Sequence, residues 1–185
     1  MTRTFILGGA RSGKSAYAET LAAATGKEVI YVATAQAGDG EMAARIARHR
    51  QQRDSTWTTL EEPLALGALI KKWSAPDRVV LIDCLTIWLS NLLFSEDKDY
   101  PDIGEIIPPA CFHEQRERFL QALEQANGDV ILVSNEVGMG VIPQGAISRW
   151  FVDEAGRMNQ AVAATCDRAL LIAAGLPLVL KGGAC

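Results

Sequence analysis

Cysteine is sparse in this sequence and forms no CxxC pair. The four cysteines are Cys84, Cys111, Cys166 and Cys185, and their spacing is irregular. A disulfide framework and a cysteine metal site are therefore not expected, and we predict reduced thiols in a cytoplasmic protein. No apolar run approaches the length of a membrane span. The first residues pass from a short apolar segment directly into a glycine-rich motif, so we expect no secretory signal peptide.

An excess of positive charge is also missing. The chain of 185 residues has 18 lysines and arginines against 22 aspartates and glutamates, which gives a net charge of −4. This balance argues against nucleic acid as a partner, because phosphate backbones favour basic surfaces. The hydrophobic fraction of 49% is that of an ordinary soluble protein, and the length suits a single domain over residues 1–185. The local cluster of arginines at 45–53 therefore suits a small anionic ligand.

Short apolar runs alternate with helical patterns along the chain. Five runs rich in valine, isoleucine and leucine predict buried parallel strands, at 4–7, 28–33, 78–83, 129–134 and 168–173. A further run at 176–181 is typical of an edge strand. Helical periodicity is found at 13–25, 40–53, 63–73, 84–94, 112–126 and 146–165. This order predicts an α/β fold with a doubly wound, mostly parallel sheet, and a surface loop or insertion at 95–109.

A phosphate-binding loop is predicted between the first strand and the first helix. The segment GGARSGKS matches GxxxxGK[ST] and consists of Gly8, Gly9, Ala10, Arg11, Ser12, Gly13, Lys14 and Ser15. Such a loop turns successive backbone N–H groups toward phosphate oxygens at a helix N-terminus. Lys14 would reach the β- and γ-phosphates, and the Ser15 hydroxyl would ligate Mg²⁺. The alternative is a glycine-rich turn that matches by chance, although the strand and helix stand where the motif requires them.

Asp83 is the candidate second group for the magnesium ion. It closes the apolar run VVLID, and the carboxyl ends of parallel strands line the same crevice as the phosphate loop. An aspartate at this point also fits a plain capping residue for the next helix, and both interpretations stay open.

His49 stands among four arginines. On a helix, Arg45, His49 and Arg53 would share one face, with Arg48 and Arg50 beside them. Neighbouring guanidinium groups disfavour the imidazolium, and a neutral imidazole is a nucleophile. The same arginines offer planar donors to phosphate oxygens. The residues alone also fit a solvated basic helix face with an incidental histidine, which is the simpler interpretation.

The segment SNEVGMG follows an apolar run. We expect Asn135 and Glu136 at the carboxyl edge of the sheet, close to the phosphates. Glu136 would orient a substrate hydroxyl or a water on magnesium, or else would cap a tight turn.

Five blocks in this order carry a resemblance to a known family: 8–15, 31–36, 39–53, 134–143 and 151–163. Together they resemble the bifunctional adenosylcobinamide kinase / adenosylcobinamide-phosphate guanylyltransferase family of cobalamin biosynthesis. The phosphate loop is generic, whereas EMAARIxxH and NEVGMGxxP are specific to that family. The blocks span nearly the whole chain.

The resemblance implies a P-loop NTPase (RecA-like) domain with two reactions. ATP or GTP would phosphorylate adenosylcobinamide with Mg²⁺ present. GTP would then transfer GMP to a histidine, and adenosylcobinamide phosphate would accept it to give adenosylcobinamide-GDP. The resemblance also implies a homotrimer.

The family's functional positions fall on named residues of this chain. The guanylylated histidine corresponds to His49, although Arg48 stands where some members have a second histidine. The nucleotide contacts correspond to residues 8–15 and to Thr34, Ala35, Gln36, Arg50, Gln51, Gln52 and Arg53. A guanine-reading acid corresponds to Glu61 or Glu62, and the acidic residue at a strand end corresponds to Asp83.

Two other functions are also compatible with these residues. One is a small-molecule P-loop kinase in which His49 and its arginines form a static phosphate clamp. The other is a nucleotide-switch protein that hydrolyses slowly and binds a partner protein.

Overall fold

The described strands form one seven-stranded sheet. The computed structural model describes residues 1–36 and 54–183, so the helix predicted at 40–53 lies outside these ranges. The strands are β1 (Arg3–Gly8), β2 (Glu28–Ala33), β3 (Thr58–Glu61), β4 (Arg78–Asp83), β5 (Asp129–Asn135), β6 (Arg168–Ala173) and β7 (Leu176–Lys181). The helices are α1 (Lys14–Ala24), α2 (Leu66–Trp73), α3 (Leu85–Leu93), α4 (Ala110–Glu124) and α5 (Ala146–Thr165).

The sheet is doubly wound and mostly parallel, as the sequence predicts. Its strand order is β3-β2-β4-β5-β1-β6-β7, and among these strands only β7 runs antiparallel to its neighbour. The central strands β4 and β5 each contain an unbroken apolar stretch, because helices cover both faces of the sheet. The α/β class is therefore confirmed.

Each face of the sheet has its own apolar core. On one face, helices α2 to α5 surround the buried rings of Trp88, Phe112 and Phe119. The centroids of the Trp88 and Phe119 rings are 5.0 Å apart, and the Trp88 indole N–H donates to the Leu64 carbonyl at 2.8 Å. On the other face, the small residues of α1 let that helix pack closely on the strands around Tyr31. These two layers hold the carboxyl ends of the strands in fixed positions.

The strand β3 is the element that the sequence analysis does not predict. It has four residues, TTLE, at one edge of the sheet, and its side chains alternate between half-buried and exposed. Such a short, half-polar segment lacks the continuous apolar run that marks the central strands. The six predicted strands are confirmed, and β7 is the edge strand that was expected.

Residues 95–109 contain neither helix nor strand, as predicted for a loop. The segment is nevertheless attached to the body of the protein. The Tyr100 hydroxyl donates to the Leu93 carbonyl at 2.6 Å, and the Ala146 N–H donates to the Asp102 carbonyl at 3.1 Å. Ile106 is buried. The loop leads from α3 to α4, and these hydrogen bonds attach it to the end of α3 and the start of α5. In the described ranges, no helix is both long and apolar enough to cross a bilayer.

Candidate nucleotide site

The predicted phosphate loop joins β1 to α1. A Cβ atom on Gly8 would lie 2.5 Å from the Ser12 hydroxyl oxygen and 2.6 Å from the Ile172 carbonyl oxygen, so only glycine fits there. Gly13 has a φ of 94°, which is also a glycine conformation. The Ser12 N–H donates to the Gly9 carbonyl at 3.2 Å and closes the turn. The motif therefore forms a tightly turned loop directly before a helix, which is the arrangement that phosphate binding requires.

Lys14 is the first residue of α1 and lies against this loop. Its side chain is buried, with 8% of the residue exposed, and its ammonium group donates to the Gly9 carbonyl at 3.1 Å. Ser15 follows it in the first helical turn and is half-buried, whereas Gly9, Ala10 and Arg11 are exposed. The Lys14 ammonium group thus lies against a loop whose other side faces solvent. This is the position expected for a lysine that contacts a bound triphosphate.

Two later segments of the chain contact the loop. The Glu136 N–H, just beyond β5, donates to the Gly8 carbonyl at 3.0 Å. The Gly175 N–H, between β6 and β7, donates to the Ser12 carbonyl at 2.8 Å. These backbone bonds fix the loop at its beginning and near its end.

Asp83 ends β4, and β5 separates that strand from the phosphate-loop strand β1. Its carboxylate accepts a hydrogen bond from the Tyr31 hydroxyl at 3.1 Å. The next helix has Cys84 as its N-cap, without a side-chain cap. The structure thus places Asp83 at the predicted edge and does not use its side chain as the helix cap.

Cys84 connects Asp83 to the segment that follows β2. Its N–H donates to the Thr34 hydroxyl at 2.9 Å, and that hydroxyl donates back to the Cys84 carbonyl at 2.8 Å. Burial, with a contribution from the Asp83 carboxylate, raises the pKa of the Cys84 thiol to about 11, against an opposing effect of the Lys14 ammonium. The two hydrogen bonds between Thr34 and Cys84 thus join the end of β2 to the end of β4.

The buried thiols will resist alkylation. Burial also raises the pKa of Cys166 to about 12, whereas Cys111 is only half-buried. With iodoacetamide at pH 8, peptide mass spectrometry should show Cys111 labelled at least about 100-fold faster than Cys84, because the thiolate is the reactive form. Equal labelling rates for Cys84 and Cys111 in the folded protein would contradict the burial described here.

The two acidic candidates after β3 differ in their surroundings. One carboxylate oxygen of Glu62 accepts the backbone N–H groups of Leu64 at 2.9 Å and Ala65 at 2.7 Å, just before α2. Glu61 is the last residue of β3 and is exposed. Glu62 therefore has a structural role at the start of a helix. Ala35 and Gln36 extend from the same edge of the sheet, with Gln36 exposed.

Glu136 caps a turn in the structure. One of its carboxylate oxygens accepts the Gly138 N–H at 2.6 Å. This is the second of the two roles expected for it. Its neighbour Asn135 lies at the end of β5 with its amide nitrogen 3.8 Å from the Cys84 sulfur.

The structure contains a polar network behind the site that the sequence analysis does not predict. The Ser134 hydroxyl donates to the Asn159 side-chain oxygen at 2.8 Å, and it lies 3.2 Å from the Thr86 hydroxyl. Thr86 in turn accepts the Asn135 N–H at 2.7 Å. The network joins α3 and α5 to the end of β5. Its only signal in the sequence is a serine at the end of an apolar run.

The remaining predicted site residues lie outside the described ranges. They are His49 with its arginines, and the nucleotide-contact positions Arg50, Gln51, Gln52 and Arg53. Among the described residues, the structure places the phosphate loop, Asp83 and Thr34 at the carboxyl edge of one sheet.

The sequence matches the family model described as cobinamide kinase / cobinamide phosphate guanyltransferase over residues 4–180. The chain belongs to this family of enzymes. A Pseudomonas aeruginosa relative, named bifunctional adenosylcobalamin biosynthesis protein CobP, is 52% identical and aligns over 97% of this chain and 98% of its own. A relative from Escherichia coli, named bifunctional adenosylcobalamin biosynthesis protein CobU, is 39% identical over 95% and 98% of the two chains. The family resemblance in the sequence is thus confirmed.

Solved structures support the fold class. The flagellar accessory protein FlaH from Methanocaldococcus jannaschii has a TM-score of 0.52 at 10% identity, and the match covers 98% of this chain and 79% of that protein. An ATPase from the type III secretion system of pathogenic bacteria has a TM-score of 0.54 at 13% identity, with coverage of 92% and 50%. At such low identity the likeness shows the fold alone, which is an α/β domain of the RecA-like P-loop type.

Proposed function

We propose that this chain catalyses two consecutive reactions in cobalamin biosynthesis. It phosphorylates the hydroxyl of adenosylcobinamide with ATP or GTP, and then transfers GMP from GTP through a guanylyl-histidine to give adenosylcobinamide-GDP. The observation that carries the proposal is the family match over 4–180, which includes both the phosphate loop and His49. We propose residues 1–185 as a single cytoplasmic domain for both steps.

For the phosphorylation step, the phosphate loop and Lys14 bind the triphosphate. Loop N–H groups and the ammonium would stabilise charge on the equatorial oxygens of the transferred phosphoryl group. The hydroxyl of Ser15 and the carboxylate of Asp83 are oxygen ligands of the kind that Mg²⁺ prefers. The described residues contain no group of three or more metal-ligating side chains, which fits an ion held largely by phosphates and water. When bound, the ion neutralises charge on the phosphate oxygens.

For the guanylyl step, His49 is the nucleophile. Its imidazole nitrogen attacks the α-phosphorus of GTP, the P–N bond forms, and pyrophosphate leaves with the electrons of the broken P–O bond. A phosphate oxygen of adenosylcobinamide phosphate then attacks the same phosphorus, and the P–N bond breaks with its electrons returning to the ring nitrogen, so that His49 leaves as a neutral imidazole. Arg50 and Arg53 would bind the phosphate oxygens, with Gln51 and Gln52 beside them.

We assign recognition of guanine to Glu61. A carboxylate can accept both the ring N–H and the amino group of guanine. Glu62 already accepts two backbone N–H groups at the start of α2, and this favours Glu61 for the recognition of guanine. Thr34, Ala35 and Gln36 are the nucleotide contacts proposed alongside it.

A product analysis tests the two reactions. Purified protein is incubated with adenosylcobinamide and Mg²⁺, with either ATP or GTP, and the products are identified by mass spectrometry. We expect the phosphate ester first, and adenosylcobinamide-GDP only when GTP is present. The phosphate ester alone would favour the kinase without guanylyl transfer. Slow hydrolysis with no modified cobinamide would favour a nucleotide-switch protein.

We also propose that the protein is a homotrimer assembled through β7. Support comes from three leucines on this edge strand, Leu176, Leu178 and Leu180, which are 71%, 58% and 55% exposed. An exposed apolar edge strand is typical of a surface that another chain covers.

Replacing Leu178 by lysine should therefore convert the trimer to monomers, as measured by size-exclusion chromatography with light scattering. The matched control is Ile103→Lys, which changes an exposed side chain of the 95–109 loop and should leave the mass unchanged. A monomeric wild-type protein, or a trimeric Leu178→Lys variant, would be incompatible with the proposal.

A further inference from the structure

The turn between β6 and β7 contacts the phosphate loop. It has two residues, Ala174 and Gly175, with φ angles of 52° and 79°. Positive φ at both positions is the geometry that tightly joins two antiparallel strands. Glycine adopts this conformation without strain, whereas a side chain at Gly175 would be strained even though no atom lies within 4 Å of its Cβ position.

Three contacts connect this part of the chain to the loop. The Gly175 N–H donates to the Ser12 carbonyl at 2.8 Å. A Cβ on Gly13 would lie 3.1 Å from the Gly175 Cα, so the two glycines pack backbone against backbone. On β6, the Ile172 carbonyl lies 2.6 Å from the Cβ position of Gly8. The turn and the strand before it therefore form one wall of the loop.

The bond to the Ser12 carbonyl also sets the direction of a neighbouring N–H group. The peptide between Ser12 and Gly13 is planar and trans, so its C=O and N–H point in opposite directions. Holding the Ser12 carbonyl toward the turn thus aims the Gly13 N–H away from the turn. Donors fixed before the ligand arrives stabilise phosphate charge without the cost of reorientation.

We infer that Gly175 is a positioning residue for the phosphate loop, and that it maintains the alignment of the Gly13 N–H and Lys14 with a bound triphosphate. This inference rests on the proposed function, because it requires residues 8–15 to bind a nucleoside triphosphate. Gly175 acts through Ser12 and Gly13 and has no contact of its own with the reacting atoms.

The test compares Gly175→Ala with Gly26→Ala. Gly26 also has a positive φ, 65°, with no atom within 4 Å of its Cβ position, and it lies at the far end of α1. Both substitutions should lower Tm by a similar few degrees. Calorimetric titration with GTP and Mg²⁺ should show Kd raised about tenfold for Gly175→Ala only, because one backbone hydrogen bond and the loop geometry are disturbed.

A third variant separates turn geometry from side-chain size. Asparagine tolerates positive φ better than alanine, so Gly175→Asn should restore GTP affinity to within about threefold of wild type. If Gly175→Ala binds GTP as tightly as Gly26→Ala, or if Gly175→Asn is no better than Gly175→Ala, the inference is overturned. A wild-type protein that binds no GTP would instead overturn the proposed function, and Lys14→Ala provides the reference for lost binding.

Discussion

Replacing His49 by alanine will abolish guanylyl transfer and leave the kinase step nearly intact. Because we propose His49 as the nucleophile of the covalent route, we expect the rate of adenosylcobinamide-GDP formation to fall by at least about 10³-fold. Phosphorylation of adenosylcobinamide should stay within about threefold of wild type, because the phosphate loop and Lys14 are unchanged. The measurement uses GTP labelled at the α-phosphorus and scores protein-bound label that is stable to alkali and labile to acid.

The sequence provides a matched control for this experiment. Its other histidine, His113, is exposed on α4, so His113→Ala should retain both the label and the product. Label that persists in His49→Ala would show that another residue carries the guanylyl group. An active wild-type enzyme that never carries label would favour the static phosphate clamp.

Replacing Lys14 by alanine should reduce the kinase rate by about 10²- to 10⁴-fold. Its ammonium lies at the phosphate loop, where it donates to the Gly9 carbonyl, and we propose that it moves onto the β- and γ-phosphates when they bind. Because the proposed guanylyl step would also consume a triphosphate, we expect formation of the guanylyl-histidine to fall in the same variant. Initial rates of both products, measured at saturating cobinamide substrate, test the two expectations separately.

The control for Lys14 is Lys71→Ala, which removes an exposed lysine from the last turn of α2. Both variants lose one positive charge, so a general electrostatic effect would lower the two activities alike. A kinase rate in Lys14→Ala within about fivefold of Lys71→Ala would rule out the assigned role of Lys14.

The sheet was predictable because each central strand carries its own signal. In β4, for example, the four residues VVLI at 79–82 are all apolar, and this follows from burial on both faces. The strand β3 lacked that signal because it lies at an edge with half of its side chains in water. The sequence also does not reveal that buried Glu154 pairs with Arg116 across two helices, because this pairing depends on tertiary packing.

The part of the candidate site that consists of residues adjacent in the sequence was predictable. A phosphate loop uses consecutive backbone groups, so eight adjacent residues are sufficient to indicate it. The sequence does not show that Glu62 accepts two backbone N–H groups at the start of α2, because this contact depends on how the chain folds between β3 and that helix. Gly175 escaped detection because its partner Ser12 lies at the other end of the sequence.

The position of β1 between β5 and β6 has a consequence for the order of folding during synthesis. The phosphate loop leaves the ribosome before both strands that flank β1, because those strands come from residues 129–173. Its backbone partners at Glu136 and Gly175 are translated late as well. Contacts so distant in sequence form slowly, and chains emerge from the N-terminus. The phosphate loop is therefore translated before the strands and backbone groups that hold it in place. A nascent chain that ends before β6 should not yet bind nucleotide.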